Sequence, residues 1–341
     1  MTRTKIDPRT IFSDAKTEGR LVYIAGPMVR YSKSPFRATV RHFGADIVYT
    51  PMILAREFIR SQYARDTDFT TNDSDSCLIV QFGVNSPEDL ARAAEMVEPY
   101  CDGIGINCGC PIKDQISQGI GAALMEQPEK VCAMIRAVKE RCPNLCVEAK
   151  IRIHRDINKT LRMAESIVNA GADYLVVHGR CKEQRSREPV NIDAIKAVCQ
   201  HVRAMSNAIP VVANGDVFSV EDAARIAQAT GCDGSMAARG ILENPSLFSG
   251  ANKATWGSVE SILHYSSAYG SPFRSVQHHV SEMSTHSITR AERKSMNETS
   301  NSQESSDWLD ERFVLSRPYE KGFGEAIDSP RKCDLNVSTS S

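Results

Sequence analysis

The residues best suited to chemistry are Asn107-Cys108-Gly109-Cys110-Pro111, which close the apolar run Cys101-Asp-Gly-Ile-Gly-Ile106. The run predicts a short buried strand, Gly103–Asn107, with a thiol held just past its carboxyl end. Glycine admits the tight backbone of such a turn, and proline fixes φ on the far side. A thiol held there could serve as a proton donor or as a nucleophile. Two plainer readings compete: a buried structural cysteine, or a Cys108/Cys110 metal pair. The pair lacks a second one at matching spacing, so no metal is expected.

The turn needs a scaffold, and the chain supplies one. Strand-like runs recur at Leu21–Ala25, Asp46–Thr50, Leu78–Phe82, Gly103–Asn107, Cys146–Ile151, Tyr174–His178, Pro210–Ala213 and Gly234–Ala238. Helical patterns separate several of them. Ser86-Pro87-Glu88-Asp89 offers an N-cap, a first-position proline and early acids, and Ser219-Val-Glu-Asp222 repeats the capping pattern. Gly231 stands where that second helix should stop. Eight βα units in series predict an α/β fold, a (β/α)₈ TIM barrel over residues 21–250 that follows a lead-in at 1–20. A doubly wound sheet would collect polar groups at one switch point. Here they recur at nearly every strand end.

Those ends read Gly26-Pro27-Met28, Gln81, Asn107 with Cys110, Lys150 with Arg152, His178 with Arg180, Asn214-Gly215-Asp216 and Ala238-Arg239-Gly240. Any one is unremarkable alone, but together they define one rim. The last two loops combine glycine-exposed amides with a cation, the pattern of a barrel phosphate site. Phosphate alone fits a sugar phosphate or a flavin nucleotide. Gln81 and Lys150 favour the flavin, whose pyrimidine edge needs hydrogen bonds and a nearby cation.

Past the barrel, Val259, Ile262, Leu263 and Tyr265, then Val276, Val280 and Met283, predict amphipathic helices in a small C-terminal helical domain, 255–313. Polar composition predicts a disordered tail over 315–341. A formal net charge of −1 on 341 residues excludes a globally basic nucleic-acid binder, though local basic patches remain available. The 11 cysteines are odd in number and scattered, as in a reduced intracellular protein. No signal-peptide pattern and no apolar run near 20 residues is present, so no membrane association is expected and the cytoplasm, with a nuclear pool, is the expected location.

Taken in order, Gly26-Pro27-Met28-Val29, Leu78-Ile-Val-Gln81-Phe82, Ile106-Asn-Cys-Gly-Cys-Pro111, Glu148-Ala-Lys-Ile-Arg152, Val176-Val-His-Gly-Arg180, Val212-Ala-Asn-Gly-Asp216 and Ala237-Ala-Arg-Gly240 resemble the tRNA-dihydrouridine synthases. These are flavin enzymes that reduce the 5,6 double bond of uridines in tRNA. Tyr31-Ser-Lys, Tyr49-Thr-Pro-Met52, Asp68-Phe-Thr-Thr71 and Gln277-His-His279 are most similar to the eukaryotic branch acting at D-loop positions 20a and 20b. The resemblance implies FMN held by Pro27, Met28, Gln81, Lys150, His178, Asn214, Gly215, Asp216, Ala238 and Arg239. It implies Cys110 as catalytic acid, with Asn107, Lys150, Arg152 and Arg180 toward the substrate, NADPH as electron donor, and helices that grip tRNA. Hydride would reach uracil C6 from flavin N5, and Cys110 would protonate C5.

Two positions depart from the family pattern: Gly26 replaces an alanine, and Gly105 replaces an acid, which could loosen the cysteine loop. The candidate phosphate-binding cations are Arg30, Lys33, Arg37, Arg41, Arg152, Arg155, Lys159, Arg180, Lys182, Arg185 and Arg187. The alternatives are a flavin oxidoreductase of a small pyrimidine, resembling dihydroorotate dehydrogenases, and a tRNA-binding homologue with impaired catalysis.

Overall fold

The computed structural model describes residues 3–325 and Lys332. Among the described residues, nine parallel strands form one sheet: β1 Val22–Ala25, β2 Ile47–Tyr49, β3 Ile53–Leu54, β4 Leu78–Gly83, β5 Gly103–Asn107, β6 Cys146–Arg152, β7 Tyr174–His178, β8 Val211–Asn214 and β9 Gly234–Ala237. The order is β2-β1-β9-β8-β7-β6-β5-β4-β3, and β2 also pairs with β4, so eight strands close into a barrel. The expected strands are all present to within a few residues. The addition is β3, a two-residue strand beside the end of β4 that pairs Ile53 with Phe82. It is too short to carry a period-two signal.

Alternation along each strand divides the core in two. Ile24, Tyr49, Ile79, Tyr174, Val176, Val212 and Met236 fill the barrel interior. Leu78, Val80, Ile104, Ile106, Val147, Ile151, Leu175 and Val177 face the surrounding helices. Those helices begin where the sequence places caps. Ser86 accepts from the Asp89 N–H and Ser219 from the Asp222 N–H, each cap worth about 1 kcal/mol. Gly231 ends the second helix at φ 73°, the left-handed geometry that glycine takes without strain.

The C-terminal region holds helices Trp256–Tyr269, Phe273–Met283, Arg290–Asn297 and Ser302–Asp310. Its core is continuous with that of the barrel, because Trp256, Val259 and Ile262 belong to the same apolar cluster as Phe36 and Val40 of helix Ser34–His42. Residues 315–325, expected as part of the tail, are instead held by Glu260, whose oxygens accept from the Ser316 and Gly324 N–H groups. The rest of the expected tail, apart from Lys332, lies outside the described residues. No helix among the described residues is long and apolar enough to cross a membrane.

Candidate active site

The Asn107 side chain at the end of β5 organises the cysteine turn. Its Oδ1 accepts from the Gly109 N–H at 3.2 Å and the Cys110 N–H at 2.9 Å, and its Nδ2 donates to Gln81 Oε1 at 2.9 Å. On the other side, the Ala122 N–H donates to the Cys110 carbonyl at 2.9 Å. Gly121, at φ 64°, lies so close that an added Cβ would stand 2.7 Å from that carbonyl oxygen. The turn is thus clamped from both sides. Among the ten cysteines of the described residues, Cys110 alone is not buried. Cys108 is fully buried, and burial raises its pKa, so it belongs to the core.

Gln81, at the end of β4, is fully buried. Its Oε1 is taken by Asn107 and its backbone N–H by Thr50 Oγ1, but Nε2 has no partner among the described residues. A buried donor left unpaired costs about 1–3 kcal/mol. That orphan donor fits a ligand carrying carbonyl or ring-nitrogen acceptors.

Strand β6 sends Glu148, Lys150 and Arg152 to one face by alternation. Lys150 Nζ donates to Asn214 Oδ1 at 2.7 Å, and Asn214 Nδ2 donates to the Met236 carbonyl. Burial, then the Arg152 charge, lowers the Lys150 pKa. Arg152 donates through Nε to the Gly109 carbonyl at 2.6 Å and through Nη1 to the Cys181 carbonyl at 3.1 Å. It therefore buttresses the cysteine turn from the neighbouring strand.

A cavity of about 490 Å³ opens beside these groups, lined by Arg152, His178, Arg180, Asp216 and Arg239 among others. The Asp216 carboxylate bridges Arg180 at 2.5 Å and Arg239 at 2.9 Å. Arg180 Nη1 donates to His178 Nε2 across 3.3 Å. Burial, then Lys150, Arg152, Arg180 and Arg239, pushes the His178 pKa down to about 2, so its imidazole is neutral. Gly215, Asp216 and Ala238 complete the corner, and Pro27 and Met28 lie half-buried after β1. The Met28 N–H is fixed by Ser32 Oγ at 3.0 Å. Surplus positive charge in a cavity of this size fits a phosphate-bearing ligand.

The site therefore divides into a cysteine side (Gln81, Asn107, Cys110, Arg152) and a cationic corner, with Lys150 tied to the corner through Asn214. Arg180, expected toward the substrate, has its ion pair in the corner. Gly105 leaves the loop supported: an added Cβ would collide with Glu148 Oε2, and Tyr49 and Ile79 fill the remaining space. Glu148 had no expected role; the alternation Glu-x-Lys-x-Arg on a strand was the available signal. Several expected phosphate-binding cations are otherwise engaged. Arg37 is 1% exposed and holds Asp75, Arg41 pairs with the same carboxylate, and Lys33 donates to the Thr67 carbonyl. Arg155, Lys159, Arg185 and Arg187 are exposed, and Lys182 is partly so.

Comparison with known proteins bears on this arrangement. The family model described as "Dihydrouridine synthase (Dus)" matches residues 23–323. The tRNA-dihydrouridine(20a/20b) synthase (NAD(P)+) of Saccharomyces cerevisiae is 44% identical, over 95% of this chain and 89% of its own. Its Schizosaccharomyces pombe namesake is 49% identical over 94% and 96%. A human protein named tRNA-dihydrouridine(20a/20b) synthase (NAD(P)+)-like is 38% identical over 91% and 96%.

Proposed function

This chain belongs to the dihydrouridine synthase family, and from that premise we propose that it is an oxidoreductase that reduces uridine to dihydrouridine in the tRNA D-loop, at positions 20a and 20b. The observation that carries the proposal is one hydrogen-bond chain: Asn107 holds the Cys110 amide with one end and the half-satisfied Gln81 amide with the other. A proton donor and a cofactor-facing donor are thereby fixed to each other.

The donor set fits FMN. The pyrimidine edge would be read by Gln81 and Lys150, and the phosphate would be held by the corner of Asn214, Gly215, Asp216, Ala238 and Arg239, with His178 and Arg180. FMN held there and reduced by NADPH would supply the hydride for uracil C6. Cys110 provides the proton for C5. Asn107 and Arg152 orient the base and stabilise the charge that builds on its carbonyl oxygens. Because the Asn107 and Arg152 side chains also anchor the cysteine turn, the donor and the base share a frame. A uridine reaches the barrel mouth only when swung out of its loop. The exposed cations after β6 and β7 would hold the neighbouring phosphates, and the helical region would fit the folded tRNA. Such a substrate suits the cytoplasm with a nuclear pool, which imaging of a tagged chain tests.

The test is reconstitution with FMN and unmodified tRNA. NADPH should yield dihydrouridine at D-loop positions 20a and 20b. Turnover of free orotate or dihydroorotate without tRNA would instead favour the small-pyrimidine reading. A colourless chain that takes up no FMN would favour the non-catalytic one.

A further inference from the structure

One ionisable group at the centre of the barrel has no part in the assignments above. Glu148 is fully buried on β6, and neither carboxylate oxygen has a hydrogen-bond partner among the described residues. It is Cα partner to Gly105 in the sheet register. The missing side chain at Gly105 is what admits its Oε2. Two residues further along the same face is Lys150. The other titratable groups that act on Glu148 or are acted on by it are Tyr49 of β2, Tyr174 of β7 and Cys108; Cys146 of β6 acts on the two tyrosines. The two tyrosine hydroxyls are 2.6 Å apart and bonded to each other.

A carboxylate buried this fully carries several kcal/mol of desolvation, and protonation relieves it. Burial accordingly raises the Glu148 pKa to about 8, offset in part by Lys150 and Tyr49. The same charge is also sensitive to anything placed near Lys150, because a buried interior screens charge less than water does.

We propose that Glu148 is a positioning residue for Lys150: a proton store in the barrel interior that is filled when negative charge arrives at the cofactor site. The proposal rests on the flavin reading. Hydride from the nicotinamide brings two electrons and one proton, so the flavin gains one negative charge. The balancing proton comes from solvent and ends on a Glu148 carboxylate oxygen. Above about pH 8, where Glu148 starts out ionised, charge around Lys150 is then conserved through the redox cycle; below it the acid is already protonated and Lys150 alone meets the charge of the reduced flavin.

Two readouts test this. The first uses cofactor-free protein: infrared difference spectra between about pH 7 and about pH 9 should show a buried carboxylic-acid stretch that is lost on raising pH and is missing in Glu148→Gln. The second uses FMN-loaded protein, with binding verified first by visible absorbance: protons taken up on anaerobic reduction are counted with an indicator dye. Wild type should exceed Glu148→Gln by almost nothing near pH 7, where the acid is already filled, and by several tenths of a proton per flavin near pH 9. Gly105→Ala, which keeps the acid but crowds its slot, should shift the pH at which the excess appears. Equal uptake by wild type and Glu148→Gln at both pH values, or no carboxylic-acid band near pH 7, would overturn the proposal. Failure to bind FMN at all would instead strike the flavin reading. Should Glu148→Gln not fold, the pH at which the wild-type infrared band is lost, and its displacement in Gly105→Ala, still decide.

Discussion

At the scale of residues, the site depends on side chains that do two jobs. Asn107 joins the Cys110 turn to Gln81. Asn107→Ala should therefore lower turnover about 10–100-fold, the size of loss that follows a misplacement near 1 Å, with a smaller effect on tRNA affinity; steady-state kinetics separate the two. His178 gives a prediction in pH. The unfolded chain protonates this imidazole below its ordinary 6.5, whereas the folded chain holds it neutral down to about 2. Below 6.5 the unfolded state thus binds more protons, so stability contributed by the neutral group is present above 6.5 and lost as pH falls. The slope approaches about 1.4 kcal/mol per pH step. Urea unfolding between about pH 4 and 7 should show a flatter profile for His178→Gln than for wild type.

At the scale of elements, strands and loops differ in what fixes them. Gly240, second residue of the short helix Arg239–Glu243 after β9, lies so close to β8's loop that an added Cβ would collide with the Val217 carbonyl. Gly240→Ala should cost about 1–3 kcal/mol and weaken FMN binding, measured by thermal unfolding and by flavin fluorescence. The eight principal strands were legible because segments such as Leu78–Gly83 and Tyr174–His178 are nearly continuous apolar runs, as parallel strands buried on both faces tend to be. The cysteine turn was legible because Gly-Cys-Pro is a backbone statement as much as a chemical one. What could not be read was partner choice. Arg37 and Arg41 look like surface cations until Asp75, 38 and 34 residues away, claims both. Likewise nothing local reveals that Gly105 is the space Glu148 fills; only the register of β5 against β6 brings them together.

At the scale of the whole molecule, the helical region and the barrel share one apolar cluster, and a contact nearer the site links them too. Tyr31 Oη on the loop after β1 meets His278 Nε2 of helix Phe273–Met283 at 2.9 Å, and His279 stacks on Phe36. The loop carrying Pro27 and Met28 is therefore braced by the region expected to meet tRNA. The net charge of −1 confines any electrostatic grip to local cations. Replacing Lys182, Arg185 and Arg187 together by alanine should reduce the slope of log affinity against log salt by about 2 to 3, close to one per lost phosphate contact; filter binding across a salt series measures it.

The most direct measurement follows dihydrouridine position by position in unmodified tRNA incubated with the FMN-loaded chain and NADPH, for wild type and for Cys110→Ala. The account predicts product at D-loop sites 20a and 20b with wild type, and a rate lower by about 10²–10⁴ for the variant at unchanged flavin content. Product at equal rates from both proteins, or none from wild type, would contradict it.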